Sequence, residues 1–315
     1  MNKSSNVFVS VVVPVYNDLE RLRMCLEALA NQTYPGNRYE IIVVNNDPSE
    51  NIEPHIVHFD NVRVICESHR GSYAARNKGI LDAKGAVVAF TDSDCIPSRD
   101  WIENGVKNLL GQQNVGLVAG RIEVLVSDPE NPTAIELYEQ VTAFQQQKYI
   151  EKFRFGATAN LFTFKHIIEE VGCFNDKLLS SGDFEWGNRV FAAGHKQIFA
   201  HDACVLHPAR KTFRQRFKKR MRIIRGKYES ASLGFSLRVF VRRLVSPVIE
   251  AEEILCKGKY DKRLKGKKQK FKLVVAFFFD SYVWAFGSLA TTLLGKSKKR
   301  EEITRFQRNW ILPTR

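Results

Sequence analysis

No two cysteines in this 315-residue chain stand close enough to form a CxxC pair, although six are present. Cys25, Cys66, Cys95, Cys173, Cys204 and Cys256 are scattered singly. None falls with histidines at zinc spacing or builds a disulfide framework. A disulfide-stapled miniprotein is thereby excluded, and a reduced, cytosolic chain is expected. The opening residues also lack the basic n-region, apolar core and small-residue cleavage site of a secretory signal. The apolar run after Asn6 ends at Pro14 and enters a turn, so it reads as a buried strand and no signal peptide is expected. There is no internal repeat and no low-complexity stretch. With 44% hydrophobic and 26% charged residues, the chain is globular, neither disordered nor fibrous. At about 100–200 residues per domain, it makes one large domain or two smaller ones.

Acidic residues become scarce in the last third. Residues 1–206 hold 19 Lys+Arg and 26 Asp+Glu, whereas residues 207–315 hold 29 and 8, and the net charge is +14. Such asymmetry points to a negatively charged partner for the C-terminal part, either nucleic acid or an anionic membrane.

The first hundred residues alternate between two hydrophobic periods. Phe8–Val13 is a Val-rich run consistent with a strand buried on both faces. Asp18–Ala30 places Leu19, Leu22, Leu26 and Leu29 at helical spacing, with Asp18 as a plausible cap. Strands at Tyr39–Val44, Val62–Cys66 and Ala86–Phe90 and a helix at Ser72–Ala83 complete a βαβ pattern, which means a mainly parallel sheet. Strand pattern then returns at Val115–Val126, and one long helical stretch is expected over Pro132–Lys152. A strand-to-helix passage follows at Leu161–Val171, then a turn at Gly172–Phe174. A last helix starts from the cap-like Ser181-Gly182-Asp183.

The most specific chemical feature is Thr91-Asp92-Ser93-Asp94, directly after an apolar strand. Ligands of open α/β sheets bind at the carboxyl ends of strands. Two carboxylates one residue apart can hold a hard divalent ion against phosphate oxygens. A DxD taken alone also fits a solvated turn; after a wholly apolar strand the functional reading gains weight.

Several motifs then follow in a familiar order. VSVVVPVYN (9–17), EIIVVNND (40–47), GSYAARNKGILDAKGAVVAFTDSD (71–94), VGCFND (171–176) and SGDFEWGNRVFAAGH (181–195) resemble those of family 2 glycosyltransferases. The likeness covers roughly residues 8–210. It implies an α/β GT-A fold, a Rossmann-like mixed sheet flanked by helices that binds a nucleotide sugar. Carried over position by position, Asp94 would ligate Mn²⁺ or Mg²⁺, with His207 completing the metal or diphosphate site. Asp92 would contact the ribose or the metal shell. Pro14, Tyr16 and Asn46 would line the base pocket, with Arg76 near the base or phosphates. Asp183 would be the general base. Judged on their residues alone, Asp183 is also a helix cap, Glu185 is the second candidate for the acceptor, and His207 fits a surface or satisfied core histidine. The chain departs from the family at Asn45 and Asn46, where an acid is usual, and at Gly182, where Glu is frequent. The QxxRW motif of processive synthases is missing, so one sugar per encounter is expected.

Residues 210–227 carry ten basic and no acidic side chains. Phe213, Phe217, Met221, Ile224 and Tyr228 recur at helical spacing. A basic amphipathic helix of this kind suits a membrane interface; a cationic helix packed on its own protein and a nucleic-acid face are the alternatives, the last disfavoured because no nucleic-acid module accompanies it. Residues 257–272 add nine basic residues against one acid, as a solvated loop or second headgroup contact, and lead into 22 residues (273–294) whose only charge is Asp280. That length can span a bilayer. Asp280 at the centre would cost roughly 2.5–3.5 kcal/mol, so a helix lying in the interface or packed on its neighbours is expected.

The expected architecture is a GT-A catalytic domain over residues 1–209 and a basic helical, membrane-associating region over 210–315. The expected function is inverting transfer of one sugar from a nucleoside diphosphate donor to a lipid-linked or glycan acceptor. The enzyme would sit peripherally or monotopically on an anionic cytoplasmic membrane face, without nucleic acid. Nucleotidyl transfer on a similar fold is the rival reaction, although residues 13–23 lack its Gly- and Lys-rich loop. A non-catalytic membrane adaptor is the rival from another class.

Overall fold

A computed structural model describes residues 7–47, 49–56, 59, 61–178, 180–228, 237–238, 240–242, 244 and 264–310, without side-chain placement at 226–228 and 295–310. Of the loop expected over 257–272, residues 257–263 lie outside the described residues, as does the side chain of Tyr228, whereas residues 266–272 are helical and not a loop.

The chain divides into two units. The first comprises residues 1–125 and 142–208, and the second residues 126–141 and 209–315. Residues 126–141 thus group with the C-terminal region, an excursion that a single boundary at 209 leaves out.

The first unit is built on β1 (Val9–Val15), β2 (Tyr39–Asn45), β3 (Val62–Cys66), β4 (Val87–Thr91), β5 (Ile96–Pro97), β6 (Val115–Leu125), β7 (Asn160–Phe164) and β8 (Lys196–Pro208). They form one sheet in the order β3-β2-β1-β4-β7-β6-β8-β5. The first four pair in parallel, β7 runs antiparallel to both β4 and β6, and β8 runs parallel to β6. β1, β2 and β4 are buried almost throughout. Layers on both faces explain their continuous apolar runs.

On one face, α1 (Leu19–Ala30) and α3 (Trp101–Leu110) pack with Val9, Val11, Val13 and Phe162. On the other, α2 (Ser72–Asp82), α6 (Lys165–Val171) and α7 (Gly182–Ala192) pack around Val12, Phe90 and Trp186. A β-carbon on Gly79 would stand 2.4 Å from Val12, so glycine there lets α2 approach β1.

Three local expectations change. Asp18 and Ser181 precede their helices as expected, but neither caps with its side chain. Asp18 instead pairs with Arg21 at 3.1 Å. The long helix expected over Pro132–Lys152 is broken into α4 (Ala134–Thr142), α5 (Gln146–Lys148) and a π-turn at Tyr149–Phe153. The break falls at Phe144, whose φ is 50°. Just beyond it, the buried Gln146 side chain bonds the backbone of Ala157 and Asn160. Helical periodicity carries no sign of that long-range tie.

In the second unit, α4 packs with the long helix α9 (Gly266–Trp310) through Ile135, Leu137, Tyr138, Leu273 and Phe277. The basic helix α8 (Phe213–Tyr228) lies against α9 so closely that a β-carbon on Gly287 would meet Met221 Sδ at 2.8 Å. Its cations are not all turned outward, as an interfacial helix would have them. Arg216 and Arg220 bond Asp280, and Arg210, Arg216 and Lys219 surround Glu139. The Gly266–Leu294 part of α9 is long and apolar enough to cross a membrane by length and composition.

Candidate active site

The DxD sequence occupies the turn after β4. It is drawn toward the end of β8 by a short antiparallel pairing, Ile96 with Leu206 and Pro97 with Val205. A register shift between β6 and β8 after Gly120 advances β8 by three extra residues, His201 to Ala203. Asn160 pins this shift, its amide donating to Arg121 O and Ala203 O at 2.8 and 3.0 Å. The outcome is that His207, 113 residues distant in sequence, stands with its Nε2 3.6 Å from Asp94 Oδ1.

This pair fits a hard divalent ion. His207 Nδ1 lies 2.8 Å from the Pro208 carbonyl oxygen, which can only accept. The neutral ring therefore carries its hydrogen on Nδ1 and turns the Nε2 lone pair toward Asp94, as metal-ligating histidines do. Phe144 holds the ring in place, its centroid 4.5 Å away. Ligand atoms of Asp94, Cys95 and His207 all lie within 4.8 Å of one another. Burial, with Asp92 and Asp94 nearby, keeps the Cys95 thiol protonated, and its Sγ points to Ala159 O. The Asp94 carboxylate suits Mn²⁺ or Mg²⁺, while the His207 imidazole also admits a borderline divalent ion. Arg21 Nη1, 3.6 Å from Asp94 Oδ2, adds a cation at the rim.

Asp92 is held differently. The buried guanidinium of Arg76 makes a short ion pair with its Oδ1. Arg76 is thus fixed beside the DxD turn from α2, and among the described residues its Nε has no hydrogen-bond partner. Pro14 and Tyr16 flank the end of β1; Tyr16 is 49% exposed and takes a hydrogen bond from Arg70 at 2.9 Å. Asn46 is buried, and its amide is spent on the loop: it donates to Glu67 O and His69 O and accepts from Gly71 N–H. Gly71 has φ 142°, which a side chain would resist. Asn46 thereby shapes the loop that launches α2 rather than presenting its amide to a base edge.

Asp183 lies in the first turn of α7. Burial pushes its carboxyl above the ordinary aspartate value, with the Phe184 N–H, Arg76 and Tyr73 pulling back only in part. Phe184 N–H donates to its Oδ1 at 2.9 Å. The helix is clamped behind it: Trp186 Nε1 donates to Gly172 O at 2.9 Å, and Arg189 bonds the carbonyls of Val171, Gly172 and Cys173. Glu185, the second candidate base, is paired with Arg189 at 2.7 Å. A cleft of about 520 Å³ is lined by Arg121, Phe144, Gln145, Lys148, Lys152 and Phe199 among others. It shares Phe144 with the His207 side of the site.

Sequence reasoning passed over Tyr73, Arg21 and Phe144. Tyr73 stands three residues before Arg76 and Arg21 three after Asp18, so helical spacing could have marked both. Nothing local marks Phe144.

Comparison with known proteins places this geometry. The model of "Glycosyl transferase family 2" matches residues 10–172, more than half of the chain. Glycosyltransferase AglE of Haloferax volcanii is 39% identical over 242 residues, covering 75% of this chain and 77% of that protein. The probable glycosyltransferase YdaM of Bacillus subtilis is 26% identical over 91% of this chain, which spans 65% of YdaM. Among solved structures, a mannosyltransferase of Pyrobaculum calidifontis in complex with GDP-Man and Mn²⁺ superposes with TM-score 0.54 at 18% identity, over 96% of this chain and 83% of that one. GalNAc-T7 with UDP, GalNAc and Mn²⁺ gives 0.51 at 19% identity, over 65% and 44%. The fold is GT-A, and the chain belongs to glycosyltransferase family 2.

Proposed function

We propose that this enzyme transfers one sugar, with inversion, from a nucleoside diphosphate sugar to a lipid-linked or glycan acceptor beside an anionic membrane surface. The observation that carries the reading is the convergence of Asp94 and His207 at one end of the sheet, with Asp183 on α7 placed as a separate carboxylate. In this reading Asp183 takes the proton from the acceptor hydroxyl. That oxygen attacks the anomeric carbon, and the bond to the diphosphate breaks with its electron pair on the leaving oxygen. The raised proton affinity of Asp183 suits a base. Asp94 and His207 would hold a divalent ion, which supplies charge neutralisation for the leaving diphosphate. Arg76 orients Asp92 for the donor's ribose or the metal shell. The solved neighbours carry GDP-Man or UDP with Mn²⁺, and a Methanococcus voltae relative, 21% identical over 60% of this chain, is named as acting on a dolichyl phosphate glycan.

Membrane association is supported by the second unit's surface. Phe213, Phe217, Phe271, Phe286, Leu293 and Leu294 are exposed, as are Arg214, Lys218, Arg222 and Arg225. Apolar side chains interleaved with cations suit an anionic leaflet. Asp280, buried and paired within the protein, supports a helix packed at the interface over one that spans alone.

The test is thermal stabilisation of the full chain by GDP or UDP with Mn²⁺ or Mg²⁺. At 100 times the dissociation constant a ligand adds about 2.7 kcal/mol. One nucleotide is expected to stabilise only with metal, and Asp94→Ala is expected to lose that dependence, with transfer falling on the order of 10²–10³-fold. Unchanged metal dependence in Asp94→Ala would show the site to be misassigned.

A further inference from the structure

We propose that Tyr73 is a positioning residue for the transfer reaction: its hydroxyl holds the Asp183 carboxylate by one oxygen, and its ring fixes the start of α7 in a space that glycine at 182 leaves open. This rests on the reading of Asp183 as general base.

The contacts are reciprocal. Tyr73 Oη donates to Asp183 Oδ1 and accepts the Asp183 N–H, both at 3.3 Å. Backbone and side chain of one residue are thereby tied to a single phenol. The Phe184 N–H also reaches Oδ1. Among the described residues both donors converge on Oδ1, which leaves Oδ2 to receive a proton from the acceptor.

The ring is fixed in turn. It stacks on Phe174 with centroids 5.8 Å apart, and the Arg76 guanidinium stands 5.8 Å from its centroid. A β-carbon at Gly182 would fall 2.7–2.9 Å from three of its ring carbons. Any larger residue at 182 must push the ring, and with it the hydroxyl, away from Asp183. The glycine that departs from the family pattern thus has a steric counterpart in Tyr73.

Packing alone does not account for the hydroxyl. A phenylalanine ring would fill the same volume, and a buried hydroxyl costs free energy unless it is bonded. Burial and the neighbouring Asp183 raise the phenol's proton affinity, so it remains a donor across the working pH range. The charged and titratable groups facing Asp183 are Tyr73 and Arg76 from α2; on its own helix, Glu185 is paired with Arg189. A hydroxyl donating to a carboxylate favours the ionised form. Removing it should raise the proton affinity of Asp183 and loosen its orientation.

The experiment compares full-length wild type, Tyr73→Phe, Gly182→Ala and Asp183→Asn. The Asp183 carboxyl is titrated by ¹³C NMR of aspartate-labelled protein, its signal assigned by its loss in Asp183→Asn. Hydrolysis of GDP-mannose and of UDP-N-acetylgalactosamine with Mn²⁺ supplies kcat, KM and the pH profile. For Tyr73→Phe the expected result is an Asp183 titration raised by about one pH unit. The acid limb of kcat should move by the same amount, and kcat should fall roughly 10–100-fold with KM nearly unchanged. Gly182→Ala should reproduce the effect with the hydroxyl still present. The titration needs no substrate, so it decides the matter even if neither donor is hydrolysed. An unchanged titration in Tyr73→Phe overturns the positioning role alone. Equal loss of nucleotide binding and turnover overturns it in favour of a purely structural ring. Wild-type hydrolysis by Asp183→Asn overturns the base reading, and the positioning role with it.

Discussion

Glu139 and Asp280 in the second unit and Asp183 in the first are carboxylates drawn out of solvent, and their neighbours treat them in opposite ways. In the second unit, Glu139 lies among Arg210, Arg216 and Lys219, and Asp280 is bonded by Arg216, Arg220 and the Tyr138 hydroxyl. Burial alone would raise the proton affinity of Glu139; Lys219, Arg210 and Arg216 outweigh it and hold the carboxyl below the ordinary glutamate value. In the first unit, Asp183 has a phenol, a backbone N–H and a more distant guanidinium, and burial wins. Saturation with cations makes a carboxylate a structural anchor. Under-saturation leaves it able to take a proton. The carboxyl group, buried in the one unit and partly buried in the other, is sorted by its neighbours.

The largest expected effect breaks the first half of that contrast. Asp183→Asn keeps the shape and the hydrogen-bond geometry at Oδ1 but cannot accept a proton, so transfer should fall about 10²–10⁴-fold while metal-dependent nucleotide binding is retained. In the wild type, a carboxyl raised above the ordinary aspartate value must still be ionised to work. The acid limb of the pH–rate profile should therefore lie above about 4. Wild-type transfer by the amide variant would move the base elsewhere.

The second effect breaks the other half. Asp280→Ala takes the anion from the half-buried Arg220 and leaves the buried Arg216 with Glu139 alone, and removal of one partner of a buried pair costs about 3–5 kcal/mol. Denaturant unfolding should show that loss in the second unit, with nucleotide-dependent stabilisation retained. The sign with pH follows from Glu139. Its depressed carboxyl contributes stability above the ordinary glutamate value and loses it as pH falls through the lower folded value. Acid should accordingly unfold the second unit while Asp183, raised rather than lowered, resists with no such loss.

Much of the first unit was legible because its signals are local. The Val-rich runs of β1 and β2, the helical spacing of α1 and α2 and the carboxylates after β4 all lie within a few residues. The Asp94–His207 meeting was legible only through family resemblance, since a register shift at Gly120 and the two-residue β5 create it. The broken helix at Phe144 depends on Gln146 reaching Ala157 and Asn160, which no periodicity reports. In the second unit, the charge pattern favoured a membrane partner for the cations of α8 over packing on their own protein. Arg216, Lys219 and Arg220 instead face Glu139 and Asp280, because an acid inside an apolar helix must find its counter-ion within the protein.

The division of α8 sharpens the membrane proposal. Arg214, Lys218, Arg222 and Arg225 are the exposed cations among its described side chains, and each is worth about 1 kcal/mol near an anionic surface at low salt. Replacing all four with Gln should weaken co-sedimentation with anionic vesicles by several kcal/mol at low salt, and by much less once salt screens the charges. Zwitterionic vesicles should show little difference. Sedimentation unaffected by the four substitutions would assign the exposed charge to an anionic substrate.

The smallest effect separates the two acids of α7. Glu185 lies two residues from Asp183 but is half-exposed and paired with Arg189, which in turn bonds the carbonyls that end α6. Glu185→Gln keeps an oxygen acceptor for Arg189 and removes only the charge. A partly exposed pair of this kind contributes about 0–1 kcal/mol, so the melting temperature should move slightly. Transfer should stay within about threefold of wild type, since a surface ion pair's worth of free energy is all that is lost. Because Arg189 still has the Val171, Gly172 and Cys173 carbonyls, α7 should keep its position and Asp183 its titration. A 10²-fold loss of kcat in Glu185→Gln, with nucleotide binding intact, would make Glu185 the proton acceptor. The contrast between saturated and under-saturated carboxylates would then fail inside a single turn of helix.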